Sequence, residues 1–298
     1  MKWICYKKIF PEFIQSDNVP LFKKILFWNK DSEIIQPTCF MCLIVFAYKT
    51  SSDYPFILAG NRDEFYERPT KPAHIWQTDP RMIAGKDEKA GGTWLGFTET
   101  GRFAAITNYR DMNNLKEDAP TRGKIVTDFL LSEKDVLTFL EGLKQQSHLY
   151  NGFNLIAGTF DQLYYLSNQK EEIEKIEPGV HVISNAFLNT AWPKSRWAKK
   201  RFENIINYSG FDEGELFKLL LNTRRYPKDE LPKTGLPDEM EQAVSSVFII
   251  TEEYGTRSSS IVAVDENSKA EIIEQTYRQG SIEVENVKRY SIQLKNKV

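Results

Sequence analysis

Runs of apolar and β-branched residues recur along the chain from residue 42 onwards and predict β-strands. The first run, Cys42–Tyr48, begins abruptly after forty residues that contain only two short apolar patches beside lysines. Ten further runs are each bounded by turn-forming residues: Phe56–Gly60, Thr93–Thr98, Arg102–Thr107, Phe153–Thr159, Gln162–Ser167, Val180–Ser184, Val247–Thr251, Ser259–Val264, Ala270–Tyr277 and Val287–Leu294. Short turns at Glu99–Gly101 and Phe160–Asp161 join neighbouring runs, and links of this length predict antiparallel pairs.

Four segments carry apolar residues at helical spacing instead. Ser132, with Asp135 three residues later, predicts the N-terminal cap of the second helix, and Asp212 with Glu215 predicts that of the fourth. The apolar faces of the four helices comprise, in order, Ile125, Val126, Phe129 and Leu130; Val136, Leu140 and Leu143; Ala198, Phe202 and Ile205; and Leu216, Leu219 and Leu220.

The order of these elements is strands, a helix pair, strands, a second helix pair and strands. It favours an α+β fold in which antiparallel sheets are covered by helices, and it disfavours a doubly wound parallel sheet. The stretch Arg224–Met240, rich in proline and charge, is interpreted as a long surface loop.

Residues 1–40 do not resemble the rest of the chain. They contain neither the continuous apolar run nor the small-residue cleavage site of a secretory signal. A transit-like or amphipathic extension, a pro-segment and a start codon placed too early remain open, and a start at Met41 is favoured. We therefore expect residues 1–40 to lie outside the fold and residues 41–298 to form one domain. Removal of Met41 would leave Cys42 with a free α-amine.

Charge and cysteine content narrow the functional classes. The 39 Lys and Arg nearly balance the 41 Asp and Glu, which gives no electrostatic reason to expect nucleic acid as a partner. No apolar stretch reaches the roughly 20 residues of a transmembrane helix. The three cysteines, at positions 5, 39 and 42, fit a reducing cytoplasm better than a disulfide scaffold. Cys39 and Cys42 spell C-x-x-C, but no second cysteine pair exists and the three histidines are scattered, so neither a metal nor another cofactor is expected.

Polar residues at the ends of apolar runs are the candidates for chemistry. They are Asn61–Glu64, Asn108, Asn185 and Arg257. Each has an ordinary structural interpretation, because Asn and Asp commonly terminate strands and an Arg beside an Asp commonly forms a surface ion pair. Gly91–Gly96 is interpreted in the same way as a tight turn entering a strand, with a wall of a substrate pocket as the alternative.

If Cys42 were the N-terminal residue, these residue types would complement the chemistry of its thiol. A thiol is a weak nucleophile until it loses its proton, and the α-amine of the same residue, with a pKa of about 7.7–8.0, can accept that proton. Such a site needs no histidine. It needs a cation near the sulfur, a carboxylate for the amine and amide donors for an oxyanion, which Arg62, Asp63, Asn108 and Asn185 could supply.

These residues also carry a family resemblance. The chain resembles the NRDE family, also called the transport and Golgi organisation protein 2 family, in motifs that run in order through residues 41–298. The motifs are Met41-Cys42, Asn61–Glu64, Gly91–Gly96, Thr107–Tyr109, Tyr150–Asn154, Ser184–Ala186 and Gly255–Arg257. That family is similar in turn to the N-terminal-nucleophile hydrolases. The resemblance implies a four-layer αββα sandwich of antiparallel sheets.

Roles follow from the same resemblance. It implies that Cys42 is the nucleophile, that Asp63 holds its amine and that Arg62 lies beside the sulfur. It further implies that the oxyanion donors are Asn108 and Asn185. Arg257 is the implied residue that polarises the nucleophile or clamps an anionic substrate. The implied substrate contacts are Asn61, Trp94 and Tyr109. The implied activity is hydrolysis of a non-peptide C–N amide bond through an acyl-cysteine. The alternative is a carrier of lipid, acyl-CoA or haem without turnover, because eukaryotic relatives are linked to lipid homeostasis and haem trafficking.

Overall fold

The computed structural model describes residues 42–295. The predictions for residues 1–41, including the start at Met41 and the C-x-x-C motif that begins at Cys39, lie outside the described residues. Within the described range the chain forms thirteen strands and five α-helices. The strands are β1 (Leu43–Tyr48), β2 (Phe56–Phe65), β3 (Thr70–Trp76), β4 (Met82–Asp87), β5 (Leu95–Thr98), β6 (Arg102–Asn108), β7 (Phe153–Thr159), β8 (Leu163–Ser167), β9 (Ile173–Lys175), β10 (Gly179–Ile183), β11 (Tyr254–Val264), β12 (Lys269–Tyr277) and β13 (Val284–Gln293). The helices are α1 (Gly123–Leu130), α2 (Val136–Gln146), α3 (Pro193–Ser209), α4 (Glu213–Leu220) and α5 (Asp238–Ala243).

The strands form two antiparallel sheets. One has six strands in the order β10-β1-β2-β11-β12-β13, and the other has seven in the order β3-β4-β5-β6-β7-β8-β9. Helices α1 and α2 pack on the seven-stranded sheet, and α3 and α4 pack on the six-stranded sheet. The predicted α+β sandwich with four αββα layers is therefore confirmed.

Alternation along single strands builds the layers. In β1, Leu43 and Val45 face helices α3 and α4, while Ile44 and Phe46 face the other sheet. Successive side chains of a strand point to opposite faces, so a strand that is buried on both sides is apolar throughout. A third apolar cluster fills the space between the seven-stranded sheet and helices α1 and α2. All three clusters are made of residues within 42–295, so this part of the chain has cores of its own.

The predicted helices are present, with one error in the capping. Asp135, not Ser132, caps α2, and its carboxylate accepts hydrogen bonds from the amides of Leu137 and Thr138. The hydroxyl of Ser132 accepts a bond from Lys134 N instead. The cap predicted at Asp212 is confirmed, since its carboxylate accepts a bond from Glu215 N.

The strand predictions contain two errors that matter for the site. The run Val247–Thr251 is not a strand; it is a buried irregular segment with a single bridge between Ile250 and Gly255. Strand β2 does not end at Gly60 but continues to Phe65, because β11 pairs with it along its whole length. The polar residues Asn61–Glu64 therefore lie inside a strand and not after one. The predicted loop Arg224–Met240 is mostly irregular, but a 3-10 turn and the start of α5 fall within it.

Candidate active site

Cys42 directly precedes strand β1, which begins at Leu43. Leu43 is opposite Asn61 in the antiparallel register, so Cys42 lies opposite Arg62, beyond the last β1–β2 pair. The thiol is buried and accepts a hydrogen bond from the Asp63 backbone amide. The Cys42 carbonyl accepts a bond from the Ser184 hydroxyl at 3.0 Å. These contacts fix Cys42 between strand β2 and the segment that follows β10.

Alternation along β2 divides the tetrapeptide Asn61–Glu64 between two layers. Leu58 faces the second sheet and Ala59 faces the helices. By the same two-residue period, Arg62 and Glu64 face the space between the sheets, whereas Asn61 and Asp63 face the helix layer. One strand thus supplies a cation to one face of the sheet and a carboxylate to the other.

Arg62 pairs with Glu64 and not with its neighbour Asp63. Its Nη2 lies 3.2 Å from Glu64 Oε2, and its Nη1 is buried without a hydrogen-bond partner in the described part of the chain. Burial raises the pKa of the Glu64 carboxyl to about 7, although Arg62 and Arg68 oppose that shift. Glu64, which the sequence analysis left without a role, therefore holds the Arg62 guanidinium in place.

Arg257 contributes a second cation farther from the sulfur. It lies at the irregularity in the β2–β11 pairing, and its Nη1 donates to the carbonyls of Phe65 at 2.8 Å and Arg68 at 3.1 Å. Desolvation and the charge of Arg62 lower the pKa of Arg257. The structure therefore puts Arg257 beside Arg62, with its Nη1 bonded to main-chain carbonyls.

Asp63 has the property expected of a residue that holds an amine. Its Oδ1 accepts a hydrogen bond from the Thr256 hydroxyl at 2.5 Å. Its Oδ2 is buried and has no hydrogen-bond partner within residues 42–295. Burial raises the pKa of Asp63, and the nearby Lys194 ammonium acts in the opposite direction. A buried carboxylate oxygen without a donor is costly, so this position favours a cationic or N–H-bearing partner.

Lys194 is the residue that the sequence analysis missed. It lies in the first turn of α3 with its side chain buried, and Nζ donates to the Val244 carbonyl at 3.2 Å. Desolvation lowers the pKa of Lys194, while the charge of Asp63 raises it. The sequence Pro193-Lys194 predicts only a helix start, and a lysine is ordinarily assigned to solvent. No pattern in the sequence indicated its burial.

Asn108 and Asn185 meet at the boundary between the two sheets. Asn108 ends β6 of the seven-stranded sheet, and Asn185 follows β10 of the six-stranded sheet. Asn185 Nδ2 donates to the Asn108 carbonyl at 3.1 Å, and the Thr107 hydroxyl donates to the Ser184 carbonyl at 2.7 Å. Because the Ser184 hydroxyl also bonds to the Cys42 carbonyl, hydrogen bonds link this boundary to the main chain of Cys42.

The three predicted substrate contacts lie in different environments. Asn61 is fully buried, and Nδ2 donates to the carbonyls of Leu220 at 2.9 Å and Val247 at 3.0 Å. Trp94 lies half-buried against the inter-sheet cluster, and Tyr109 packs on Phe187 with ring centroids 4.9 Å apart and the rings tilted by 44°. The site therefore includes Tyr109 at the Asn108–Asn185 boundary, whereas the Asn61 amide is bonded within the helix layer.

The glycine-rich motif has a packing role. A Cβ on Gly92 would lie 2.3 Å from the main-chain carbon of Gly123, so the strand entry and the start of α1 touch through their backbones. Gly91 has a φ of +78°, a backbone conformation that residues other than glycine rarely adopt. The tight turn that the sequence predicts is present there.

The thiol is protonated in the environment just described. Burial, followed by the Asp63 charge, raises the pKa of Cys42 to about 12. The hydrogen bond from the Asp63 amide and the Arg62 charge oppose this shift without cancelling it. Formation of a thiolate therefore needs a base close to the sulfur.

No group of three or more His, Cys, Asp and Glu residues within residues 42–295 is arranged to hold a metal ion. No helix in this range has both the length and the apolar character to cross a membrane.

The known proteins similar to this chain include sequence relatives and solved structures of low sequence identity. Residues 41–279 match the model of the family described as Transport and Golgi organisation 2. The human transport and Golgi organization protein 2 homolog is 35% identical over 246 residues, covering 76% of this chain and 89% of the human protein. The Drosophila melanogaster transport and Golgi organization protein 2 is 31% identical over 262 residues, covering 79% of this chain and 92% of its own.

Two solved structures are similar at low identity. A mutant conjugated bile acid hydrolase from Clostridium perfringens is 11% identical with a TM-score of 0.45, over 84% of this chain and 96% of that one. The Caenorhabditis elegans ortholog of N-acylethanolamine-hydrolyzing acid amidase is 10% identical with a TM-score of 0.47, over 76% of this chain and 93% of that one.

Proposed function

This chain belongs to the transport and Golgi organisation 2 family, and on the geometry of its site we propose that it is an N-terminal cysteine amide hydrolase. The mature protein would begin at Cys42, and the substrate would contain a non-peptide C–N amide bond. The observation that carries this proposal is the buried Asp63 Oδ2, which has no hydrogen-bond partner in the described residues while its backbone amide contacts the thiol. A free α-ammonium at Cys42 is the partner that this carboxylate oxygen would satisfy.

The proposed reaction proceeds in two halves. The neutral α-amine takes the thiol proton, and the sulfur attacks the amide carbonyl to form a tetrahedral oxyanion. The side-chain amides of Asn108 and Asn185 donate to that oxyanion, and Arg62 stabilises the thiolate before attack. The α-ammonium then gives its proton to the leaving nitrogen, the C–N bond breaks and an acyl-cysteine remains.

Water completes the cycle. The α-amine takes a proton from a water molecule, whose oxygen attacks the thioester carbonyl. The C–S bond then breaks, the carboxylic acid leaves and the thiol regains its proton. Glu64 holds Arg62 through both halves, so this residue would act through the guanidinium and not on the substrate.

The test begins with the N-terminus. Intact mass and N-terminal sequencing of protein from the native host should give a chain that starts at Cys42. That protein should be acylated by an activated acyl ester at Cys42, whereas Cys42→Ala should not. The matched control is the same protein with Met41 retained, which keeps the thiol but blocks the amine. Undiminished acylation in Cys42→Ala would refute the nucleophile, and equal acylation with Met41 retained would refute the amine as base.

The second candidate is a ligand carrier. The observation that favours it is the raised pKa of the Cys42 thiol, because a buried protonated thiol is unreactive. A carrier would bind an acyl-CoA, another lipid or haem at the same site without breaking a bond. Titration with haem and with acyl-CoA, followed by absorbance and by tryptophan fluorescence, should then saturate at one ligand per chain. Absence of saturable binding would remove this candidate.

A further inference from the structure

Residues 184–188, which contain Asn185, form an irregular segment after β10 and belong to no helix or strand. Two hydrogen bonds from the end of β6 fix the main chain at the start of this segment. The Ser184 carbonyl accepts a bond from the Thr107 hydroxyl at 2.7 Å, and the Asn185 carbonyl accepts one from the Arg110 amide at 2.8 Å. The seven-stranded sheet therefore holds a segment that follows a strand of the other sheet.

Two further bonds reach the same segment from the next strands of the seven-stranded sheet. On β7, Asn154 Nδ2 donates to the Ala186 carbonyl at 3.0 Å. On β8, the Tyr165 hydroxyl accepts a bond from the Leu188 amide at 3.3 Å and donates to Asn154 Oδ1 at 2.8 Å. Asn154 Nδ2 also lies 3.4 Å from Thr107 Oγ. Side chains of three adjacent strands therefore form one connected network, and each of them bonds to the main chain of residues 184–188.

This network is an exception in an otherwise apolar layer. By the two-residue period of a strand, Thr107 and Asn154 face the space between the sheets, as Ala105 and Ile156 do, and Tyr165 belongs to the same inter-sheet cluster. The three network side chains are buried, with exposed fractions of 1–2%. Burial of polar groups is costly unless they are hydrogen-bonded, and a satisfied network holds its members in one arrangement. Burial also raises the pKa of Tyr165 to about 12, so its hydroxyl remains a donor at neutral pH.

We propose that Thr107, Asn154 and Tyr165 are positioning residues that hold Asn185 in place as an oxyanion donor. The bonds from Thr107 and Asn154 end on the carbonyls of the residues immediately before and after Asn185. Tyr165 orients the Asn154 carboxamide and binds the segment two residues farther on. The three side chains act through the Asn185 amide and do not touch the substrate. This inference rests on the proposed function, because it requires an oxyanion at the site.

The physical reason is that an oxyanion donor works only at the correct distance. Loss of one such donor lowers the rate of acyl transfer by about 10²–10³-fold, and a displacement of about 1 Å can cost about 10²-fold. Regular pairing holds a donor on a strand, but residues 184–188 have no such pairing. The network supplies the missing restraint on both sides of Asn185.

Two reagents that react with the Cys42 thiolate separate oxyanion stabilisation from the reactivity of the sulfur. With p-nitrophenyl acetate, the sulfur adds to the ester carbonyl, and collapse of the tetrahedral oxyanion expels p-nitrophenolate and leaves acetyl-cysteine. With iodoacetamide, the S–C bond forms as the C–I bond breaks and iodide leaves, so no oxyanion forms. The ratio of the two rate constants therefore cancels the thiolate fraction and reports oxyanion stabilisation. Peptide mass spectrometry of protein expressed in the native host would assign each adduct to Cys42.

Tyr165→Phe removes a single hydroxyl and should lower the ratio of acylation to alkylation by about tenfold, less than the loss of roughly 10²-fold in Asn185→Ala. The matched control is Tyr164→Phe, the same change at the neighbouring position of β8, whose ring packs on the helix side of the sheet. This control should keep the parent ratio. If Tyr165→Phe does not fold, Thr107→Val removes the bond to Ser184 and should lower the ratio, whereas Thr107→Ser keeps the hydroxyl and should restore it.

A double variant distinguishes displacement of Asn185 from a general packing defect. If Tyr165 acts through Asn185, adding Tyr165→Phe to Asn185→Ala should cause no further loss in the ratio. A packing defect would lower the ratio by the same factor in both backgrounds, and that result would overturn the inference. An unchanged ratio in the single variant Tyr165→Phe would also overturn it.

The outcomes separate this inference from the proposed function. A lower ratio in Asn185→Ala together with a parent ratio in Tyr165→Phe would overturn the role of the network and leave amide hydrolysis supported. A parent protein that iodoacetamide alkylates at Cys42 but that the ester never acylates would overturn both. Non-additive losses in Tyr165→Phe and Asn185→Ala would support both.

Discussion

Replacing Asn61 by alanine should destabilise the fold and leave the chemistry of the thiol unchanged in the protein that remains folded. Asn61 is the first residue of the tetrapeptide that contains Arg62 and Asp63, and its side chain is fully buried on the helix side of β2. Nδ2 donates to the carbonyls of Leu220 and Val247, and Oδ1 accepts from the Ser259 hydroxyl at 2.6 Å. One carboxamide therefore joins β2 to α4, to the irregular segment after α5 and to β11.

The size of the effect follows from these three bonds. Each contributes about 0.5–1.5 kcal/mol net, and a buried polar group that loses its partner costs about 1–3 kcal/mol. The Ser259 hydroxyl also accepts a bond from Tyr277, which limits its loss. Two buried carbonyls without their donor, together with the lost bonds, give a destabilisation of roughly 3–5 kcal/mol. For a domain of this size that corresponds to a fall in Tm of roughly 10 °C.

Urea and thermal unfolding of Asn61→Ala and of a matched control would measure this destabilisation. The control is Asn267→Ala, because Asn267 is exposed and, among residues 42–295, only its main chain is bonded, to Asp265 and Gln293. We expect the control to lie within about 0.5 kcal/mol of the parent. Acylation of Cys42 at 10 °C, where Asn61→Ala should remain folded, should match the parent. A stable Asn61→Ala protein with slow acylation would refute this reasoning and return Asn61 to substrate binding.

Two further predictions concern the motifs around the site. Gly92→Ala should lower the free energy of unfolding by about 2 kcal/mol or more, because a Cβ there would lie 2.3 Å from Gly123. Gly142→Ala, in α2 with open space around it, should raise it by up to about 1 kcal/mol, and equal effects in urea unfolding would contradict this account. Burial raises the pKa of Glu64 from its ordinary 4.5 to about 7, so the folded protein binds this proton more tightly than the unfolded chain and stability should fall as pH rises through that window. Glu64→Gln should flatten the fall and the exposed control Glu88→Gln should not; an unchanged slope in Glu64→Gln would show that other groups cause it.

Strands were predictable where their burial produces an apolar run in the sequence. The strands and segments that were predicted wrongly have physical causes. β3 (Thr70–Trp76) is an edge strand with Pro72 at the point where its register shifts, and only one of its seven residues is fully buried. Such strands carry little apolar signal and tolerate proline. The opposite error occurred at Val247–Thr251, which is apolar because it is buried against the sheet and not because it pairs. An apolar run records burial, which strands share with packed irregular segments.

The candidate site was partly predictable for a related reason. The predicted residues are polar and lie within or just after buried strands that are otherwise mostly apolar, namely Arg62, Asp63, Asn108 and Asn185. Lys194 was missed, and Glu64 was named without a role, because a charge at a helix start or in a polar run has an ordinary solvated interpretation. Their burial depends on contacts with segments distant in sequence, such as Val244 for Lys194. No local pattern encodes those contacts.

The arrangement of buried charge is itself an argument about where the functional chain begins. Asp63 and Lys194 are both buried, and desolvation of two charges is repaid only when each has close partners. Within the described residues the Oδ2 of Asp63 has none, and the Cys42 thiol beside it is held protonated. A fold selected for stability alone would replace these two residues with apolar ones, as along β1 and along the Phe56–Ala59 part of β2. A free α-amine at Cys42 would supply both the missing donor to Asp63 and the missing base to the thiol. One change at one residue would therefore satisfy the buried carboxylate and activate the buried thiol.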